Sequence, residues 1–168
     1  MLLNNLNQFS SYKDTFTFYK RISEQYKDKA ILNSVKQLVP SNILKSSPND
    51  QLKPLLNWFK HDLMKWMPKE LQCKICNNVK SMSVQILGDS TTLRKTEIHT
   101  CNNCGSKQIF PRYVKIPKIA ETKIGRCTEW SILFGAILNS LSIQTRIVHD
   151  YLDHCWNESL INKNNGYM

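Results

Sequence analysis

Apolar positions recur at helical spacing in several stretches of the chain and change to alternation or short runs between them. Phe16, Phe18, Tyr19, Ile22 and Tyr26 form a loose stripe, and Ile31, Leu32, Val35 and Leu38 a second that Pro40 ends. These predict helices through residues 1–50, a segment without recognisable chemistry. Ser41–Asp50 is rich in turn formers and predicts a boundary. Leu55, Trp58, Phe59, Leu63 and Trp66 share one helical face up to the stop at Pro68. Trp130, Leu133, Phe134, Ile137, Leu138 and Leu141 follow i, i+3, i+4, i+7 and predict a strong helix over 126–141. Extended chain is expected around Val84–Leu87 and Thr96–His99, and across 110–120, where two prolines interrupt. Two further strands are expected at 145–152 and 155–160, with a turn at Asp153 between them. The pattern divides the chain into a helical extension at 1–50 and a mixed α+β domain at 51–168, which contains a cysteine-bearing subdomain at 71–110.

Composition narrows the class. With 41% hydrophobic residues, 5 Gly and 6 Pro in 168 residues, the chain is neither collagen-like nor a disordered polyelectrolyte. No window approaches the roughly eighteen apolar residues of a membrane span. Asn4 interrupts Leu2 and Leu3 at once, so a secretory apolar core is lacking, and the expected compartment is the cytosol or the nucleus. The net charge is +10, but 18 of the 23 basic residues are Lys, dispersed without a run of four. That distribution points to a solvated surface rather than to nucleic acid, whose recognition gathers cations into a patch.

Cysteine changes the picture. Cys73-Lys-Ile-Cys76 and Cys101-Asn-Asn-Cys104 form two CxxC pairs with 24 residues between them. Two residues between thiolates let both sulfurs of one tight turn reach a tetrahedral Zn²⁺ at about 2.3 Å, and two such turns complete a four-sulfur shell. Gly105 suits the left-handed backbone of such a turn. A disulfide is the alternative, but nothing in the sequence points to an oxidising compartment. Four thiolates leave no open position for a catalytic water, so the expected zinc is structural, one per chain.

Cys127 follows Gly125 and Arg126 at the first turn of the apolar helix, where the helix N-terminus and the neighbouring cation favour a thiolate. His154, in Asp-Tyr-Leu-Asp-His-Cys-Trp, lies 27 residues further on, at a strand start. A helix-borne Cys facing a strand-borne His is a nucleophile–base arrangement. Spacing alone leaves open a small core thiol and a surface imidazole, and His61, His99 and His149 rank lower as catalytic groups.

The wording of the blocks goes further. L-N-W-F-K-H, C-x-x-C, C-x-x-C-G, I-F-P-R-Y, G-R-C-x-E-W and R-x-V-x-D-Y-x-D-H-x-W-x-E occur in that order from Leu55 to Glu158. Together they resemble the cytoplasmic peptide:N-glycanase family. The resemblance implies a transglutaminase-like (papain-like) core with an inserted four-cysteine zinc subdomain. It implies an amidase that cuts the β-aspartyl-glucosaminyl bond of misfolded N-glycoproteins or glycopeptides, turning Asn into Asp. Cys127 would be the nucleophile and His154 the general base and acid. Trp58 and Trp66 would flank the cleft against sugar, while Trp130 and Trp156 are expected in the core. Ubiquitin-receptor shuttle proteins and the proteasome are the partners the family suggests.

Three departures stand out. The family's third catalytic residue, an Asp in an H-x-D-P-C-E motif beyond the His, has no match before Met168, so the fold is expected to be C-terminally incomplete. Asp150 and Asp153 match other family positions. Thr128 replaces a Gly beside the nucleophile, and Cys155 takes an apolar position, where a small packed side chain is expected. The alternative function is a catalytically degenerate binding module, for glycoprotein or, as in excision-repair damage recognition, for DNA.

Overall fold

The computed structural model of the chain describes residues 2–78, 82–89, 94–150, 154–162 and 166–167. Helix α1 (Leu2–Gln25) and α2 (Lys29–Lys36) form the N-terminal part, and the Asp28 side chain caps α2 by accepting from the amides of Ala30 and Ile31. A short α3 (Ser41–Leu44) leads into α4 (Pro48–Trp58). The chain then adds β1 (Lys65–Trp66), β2 (Met82–Asp89), β3 (Arg94–Cys101) and β4 (Lys107–Arg112). After these come α5 (Ile116–Thr122), β5 (Ile124–Gly125), α6 (Cys127–Ser140), β6 (Thr145–His149), β7 (Cys155–Asn162) and β8 (Gly166–Tyr167). The architecture is α+β.

The strands make three small sheets among the described residues. β1 pairs with β5 in parallel; β2-β3-β4 and β6-β7-β8 are antiparallel. The core is built around α6. Every residue from Ser131 to Leu138 is buried, so the helix is covered on all sides rather than along one stripe as its periodicity predicts. β6 and β7 pack against it, as do α2 and α5. The small residue at 135 helps make this possible. A side chain at Gly135 would collide with the Tyr26 hydroxyl, which donates to the Ile132 carbonyl at 3.0 Å.

Ile22, Val35, Val39 and Ile43 lie in the same apolar cluster as Ile132, Leu133 and Ile137. Gln25 ties α1 to the start of α5 as well: its amide donates to the Val114 carbonyl, and its side-chain oxygen accepts from the Ile116 amide. Ser41–Asp50, expected as a turn-rich boundary, folds into α3 and the start of α4. Gln51, itself buried, donates to the Ile43 carbonyl.

Three elements differ from the sequence reading. The helix expected to run to Pro68 widens into a π turn at Phe59–Leu63, closed by the Met64 amide on the Phe59 carbonyl at 2.9 Å. That extra residue per turn shifts the apolar phase, and Trp66 leaves the helix for β1, where Lys65 and Met67 donate to the carbonyls of Lys123 and Gly125. Residues 110–120 are not wholly extended: Pro117 sits in the first turn of α5, where its missing N–H costs nothing. Of the strand expected over 145–152, β6 takes Thr145–His149 and stops before Asp150, while residues 151–152 and the expected turn at Asp153 lie outside the described residues.

Candidate functional site

The two CxxC turns have the same backbone construction. At the first, the Cys73 amide donates to the Asn78 carbonyl and the Asn77 amide returns to the Cys73 carbonyl, each at 2.9 Å. At the second, Cys101 and Gly105 repeat both bonds, with Ser106 and Cys101 as acceptors, at 2.8 Å. The turning residues carry φ of +55° at Asn77 and +71° at Gly105; Asn does at one turn what Gly does at the other. Strands β2 and β3, with Met82 opposite Cys101, bring the turns together.

All four sulfurs lie within 4.8 Å of one another. Cys73–Cys104 and Cys76–Cys101 approach to 3.6 Å, far beyond a disulfide bond of about 2.05 Å. This separation is close to the edge of a tetrahedron with about 2.3 Å metal–sulfur bonds. The donor set therefore fits one metal ion. Backbone N–H at Cys76, the Ser106 hydroxyl and the Ile75 amide bring the Cys73 thiol down to about 6. The Asn103 side chain and the Asn78 amide lower Cys76 as well. The Cys73 thiolate, the form a metal binds, is thus favoured at neutral pH, whereas Cys101 is pushed up: the Cys104 amide favours its thiolate, but burial and the neighbouring Cys76 and Cys73 thiols outweigh it.

Cys127 is the first residue of α6 and is half-buried. Behind it lies an ion cluster that the motif reading passed over. Glu97 on β3 accepts both terminal nitrogens of Arg126, at 2.7 and 2.9 Å, and one of Arg112 at 3.1 Å. His99 Nε2 lies 3.1 Å from the same carboxylate. Glu129, three residues into α6, accepts Nε and one terminal nitrogen of Arg112 at 2.6 and 3.1 Å, and the Arg126 amide at 3.0 Å. Glu97 and Glu129 are 5% and 2% exposed. Burial opposes ionisation of Glu97, but the hydrogen bonds and charge of Arg126, with Arg112 and His99, outweigh it and hold the carboxyl below its ordinary range. Phe110, opposite Glu97 in the β3–β4 register, lies against both guanidinium groups. A signal existed: Glu97, His99 and Cys101 alternate along β3, which puts two polar residues on the face of a metal ligand.

The structure also corrects the expectation for Arg126. Its guanidinium is turned onto Glu97 and the carbonyls of Met67 and Pro68, so its charge is neutralised in the cluster instead of serving the thiol.

His154 is exposed and immediately precedes β7. Its amide donates to the Asp150 carboxylate and its carbonyl accepts from the Asp150 amide, both at 2.9 Å. Asp150 thus closes the loop at its backbone. The imidazole lies 6.0 Å from the Trp156 ring. Alternation puts Cys155 on the opposite face, buried beside α6: Ser131 donates to its carbonyl, and its sulfur lies 3.8 Å from the Thr128 hydroxyl. Burial, and then the neighbouring Cys127, push the Cys155 thiol up. No hydrogen bond joins Cys127 to His154 among the described residues.

The tryptophans separate. Trp66 is 54% exposed and packs on Trp130, three residues beyond Cys127, with ring centroids 5.8 Å apart. Trp58 lines an open groove of about 550 Å³ with Asn42, Asn57, His61 and Asp62, among others, and none of its lining comes from α6 or β7. Trp130 joins the core, as expected. Trp156 does not: it is 38% exposed on the His154 face of β7, because its neighbour Cys155 takes the buried side.

The sequence profile of the Transglutaminase-like superfamily matches residues 80–168. Among curated proteins, the chain is similar to several named peptide-N(4)-(N-acetyl-beta-glucosaminyl)asparagine amidase. The Caenorhabditis briggsae protein is 29% identical over 94% of this chain and 28% of its own length. The Saccharomyces cerevisiae protein is 36% identical over 70% and 34%, and the Homo sapiens protein 33% over 64% and 17%. The chain thus spans about a third or less of the length of these relatives. With a matching profile over more than half of its residues and a helix that begins on Cys127, the chain belongs to the transglutaminase-like superfamily.

Proposed function

We propose that the chain is the nucleophile-bearing part of a deglycosylating amidase that hydrolyses the β-aspartyl-glucosaminyl bond of misfolded N-glycoproteins. The observation that carries this reading is Cys127 as the first, half-buried residue of α6, on a helix packed against the strand that His154 precedes. The names of the similar proteins supply the reaction class. In the first step the Cys127 thiolate adds to the Asn side-chain carbonyl carbon; the C–N bond breaks, and His154 protonates the departing glycosylamine. Water, deprotonated by His154, then cleaves the thioester to leave Asp and the free thiol. Trp66, beside Trp130 near the start of α6, offers an apolar face to sugar C–H groups, and Trp58 one in its own groove.

Zn²⁺ is the ion we assign to Cys73, Cys76, Cys101 and Cys104. Four sulfur donors match its preferred tetrahedral shell and fill it, so its part is to hold the two turns together. None of the six cysteines is joined in a disulfide, which suits a reducing compartment, the cytosol or the nucleus.

The test is incubation of the chain with a denatured N-glycopeptide, reading Asn-to-Asp conversion and glycan release by mass spectrometry. Cys127→Ala is expected to abolish both while zinc content stays at one per chain. Product formed by Cys127→Ala overturns the nucleophile assignment.

A further inference from the structure

We infer that Glu97, on a strand of the four-cysteine sheet, is a positioning residue for Cys127; the inference rests on the reading of Cys127 as the nucleophile. Glu97 sits four residues before the metal ligand Cys101 on β3 and grips the side chain of Arg126, the residue next to Cys127 in sequence. The grip is the two-pronged kind that only a guanidinium makes, and it fixes orientation as well as distance. The other donors of Arg126 go to the carbonyls of Met67 and Pro68. Its amide goes to Glu129, which Arg112 ties back to Glu97. The start of α6 is therefore closed into a ring of two carboxylates and two guanidinium groups with no net charge.

Such a cluster contributes little to stability compared with apolar residues of the same volume, because each ion loses its hydration. What it supplies is a single geometry. Thiolate attack is sensitive to that geometry, since a displacement of about 1 Å can cost about 10²-fold in rate. Glu97 touches no reacting atom: it acts through Arg126. A metal held by the four cysteines would thereby reach the thiol without metal chemistry: it would fix β3, and β3 carries Glu97.

The experiment uses the full zinc-loaded chain and Glu97→Gln, which keeps shape and removes charge, with Glu97→Asp as the conservative variant. Amide hydrogen exchange reads the junction without turnover. The Met67 amide, bonded to the Gly125 carbonyl, and the Arg126 and Trp130 amides, bonded within the first turn of α6, are expected to exchange about tenfold faster or more in Glu97→Gln, with Leu133–Leu138 and the knuckle amides within about twofold of wild type. On the glycopeptide, kcat is expected to fall 10- to 100-fold with KM within about twofold, and Glu97→Asp to recover most of it. Uniform exchange, wild-type exchange at the junction, an unchanged kcat or a loss confined to KM overturns the inference. If Glu97→Gln does not fold, Arg126→Lys, which keeps the charge and loses the fork, must give the same local pattern. Full activity in Glu97→Gln beside an inactive Cys127→Ala overturns positioning alone. Activity in Cys127→Ala overturns the nucleophile reading, whatever the exchange data show.

Discussion

Gly125→Ala tests how tightly the start of α6 is built. Gly125 pairs with Trp66 across β1 and β5, two residues before Cys127. A Cβ there would overlap the Cβ of Glu129 and stand 3.0 Å from its Cγ and 3.3 Å from its Oε2. The Cβ of Glu129 is fixed to the helix backbone, so the clash cannot be relieved by turning a side-chain end. Either the first turn of α6 shifts, or Glu129 rotates away from Arg112 and the Arg126 amide. Overpacking costs about 1–3 kcal/mol and loss of a helix cap about 1 kcal/mol, so destabilisation of about 2–4 kcal/mol is expected. With a urea slope of about 2 kcal/mol/M, the midpoint moves down by about 1–2 M. The comparison is Gly88→Ala, where a Cβ meets nothing within 4 Å and a change within about 0.5 kcal/mol is expected. Equal effects at the two glycines, or less than about 0.5 kcal/mol at Gly125, would refute the close-approach argument.

Three further outcomes follow from the packing. Ile22→Ala, at a fully buried position shared with α6, is expected to cost about 2–4 kcal/mol in a single unfolding transition; a separate, earlier transition would show that α1 docks without joining the core. Chelation of zinc is expected to release the Cys73 and Cys101 turns and lower the melting temperature, and a metal-free preparation with unchanged melting would exclude a structural metal. Burial pushes the Tyr26 phenol far above its ordinary value. Its neutral form therefore stabilises the fold fully below pH about 10, and that contribution is lost as pH rises further. Tyr26→Phe loses about 1 kcal/mol of hydrogen bonding and should flatten the alkaline fall, measured as the stability difference between the two proteins above pH 10.

What the sequence made legible was chemistry carried by local spacing. CxxC fixes two sulfurs on one turn whatever the rest of the chain does, and the apolar run after Cys127 is long enough to be a helix in any setting. The misreadings came where a neighbour decides. Trp66 reads as helical because Leu63 and Phe59 precede it at the right spacing, yet the carbonyls of Lys123 and Gly125, more than fifty residues away in sequence, take the backbone of its neighbours into β1. Trp156 reads as core because it is large, but strand alternation gives the buried side to Cys155. The alternation of Glu97 and His99 with Cys101 was legible, but the partners of Glu97 were not, since a bond from Arg126 to Glu97 spans 29 residues and no local pattern encodes it.

The charge balance gains meaning from that cluster. The four groups gathered behind Cys127 sum to zero, so the +10 surplus resides elsewhere, and the exposed lysines carry most of it. Arg126, which the sequence offers as a cation beside the thiol, is paired with Glu97, whereas the N-terminus of α6, where Cys127 sits, is a positive element built into the backbone. Helix amides cannot move independently of the backbone, whereas a free guanidinium on a long stem could swing. Anchoring Arg126 to the four-cysteine sheet therefore exchanges a strong, mobile field for a weaker, fixed one. Preorganised dipoles of that fixed kind lower a barrier without reorganising during the reaction.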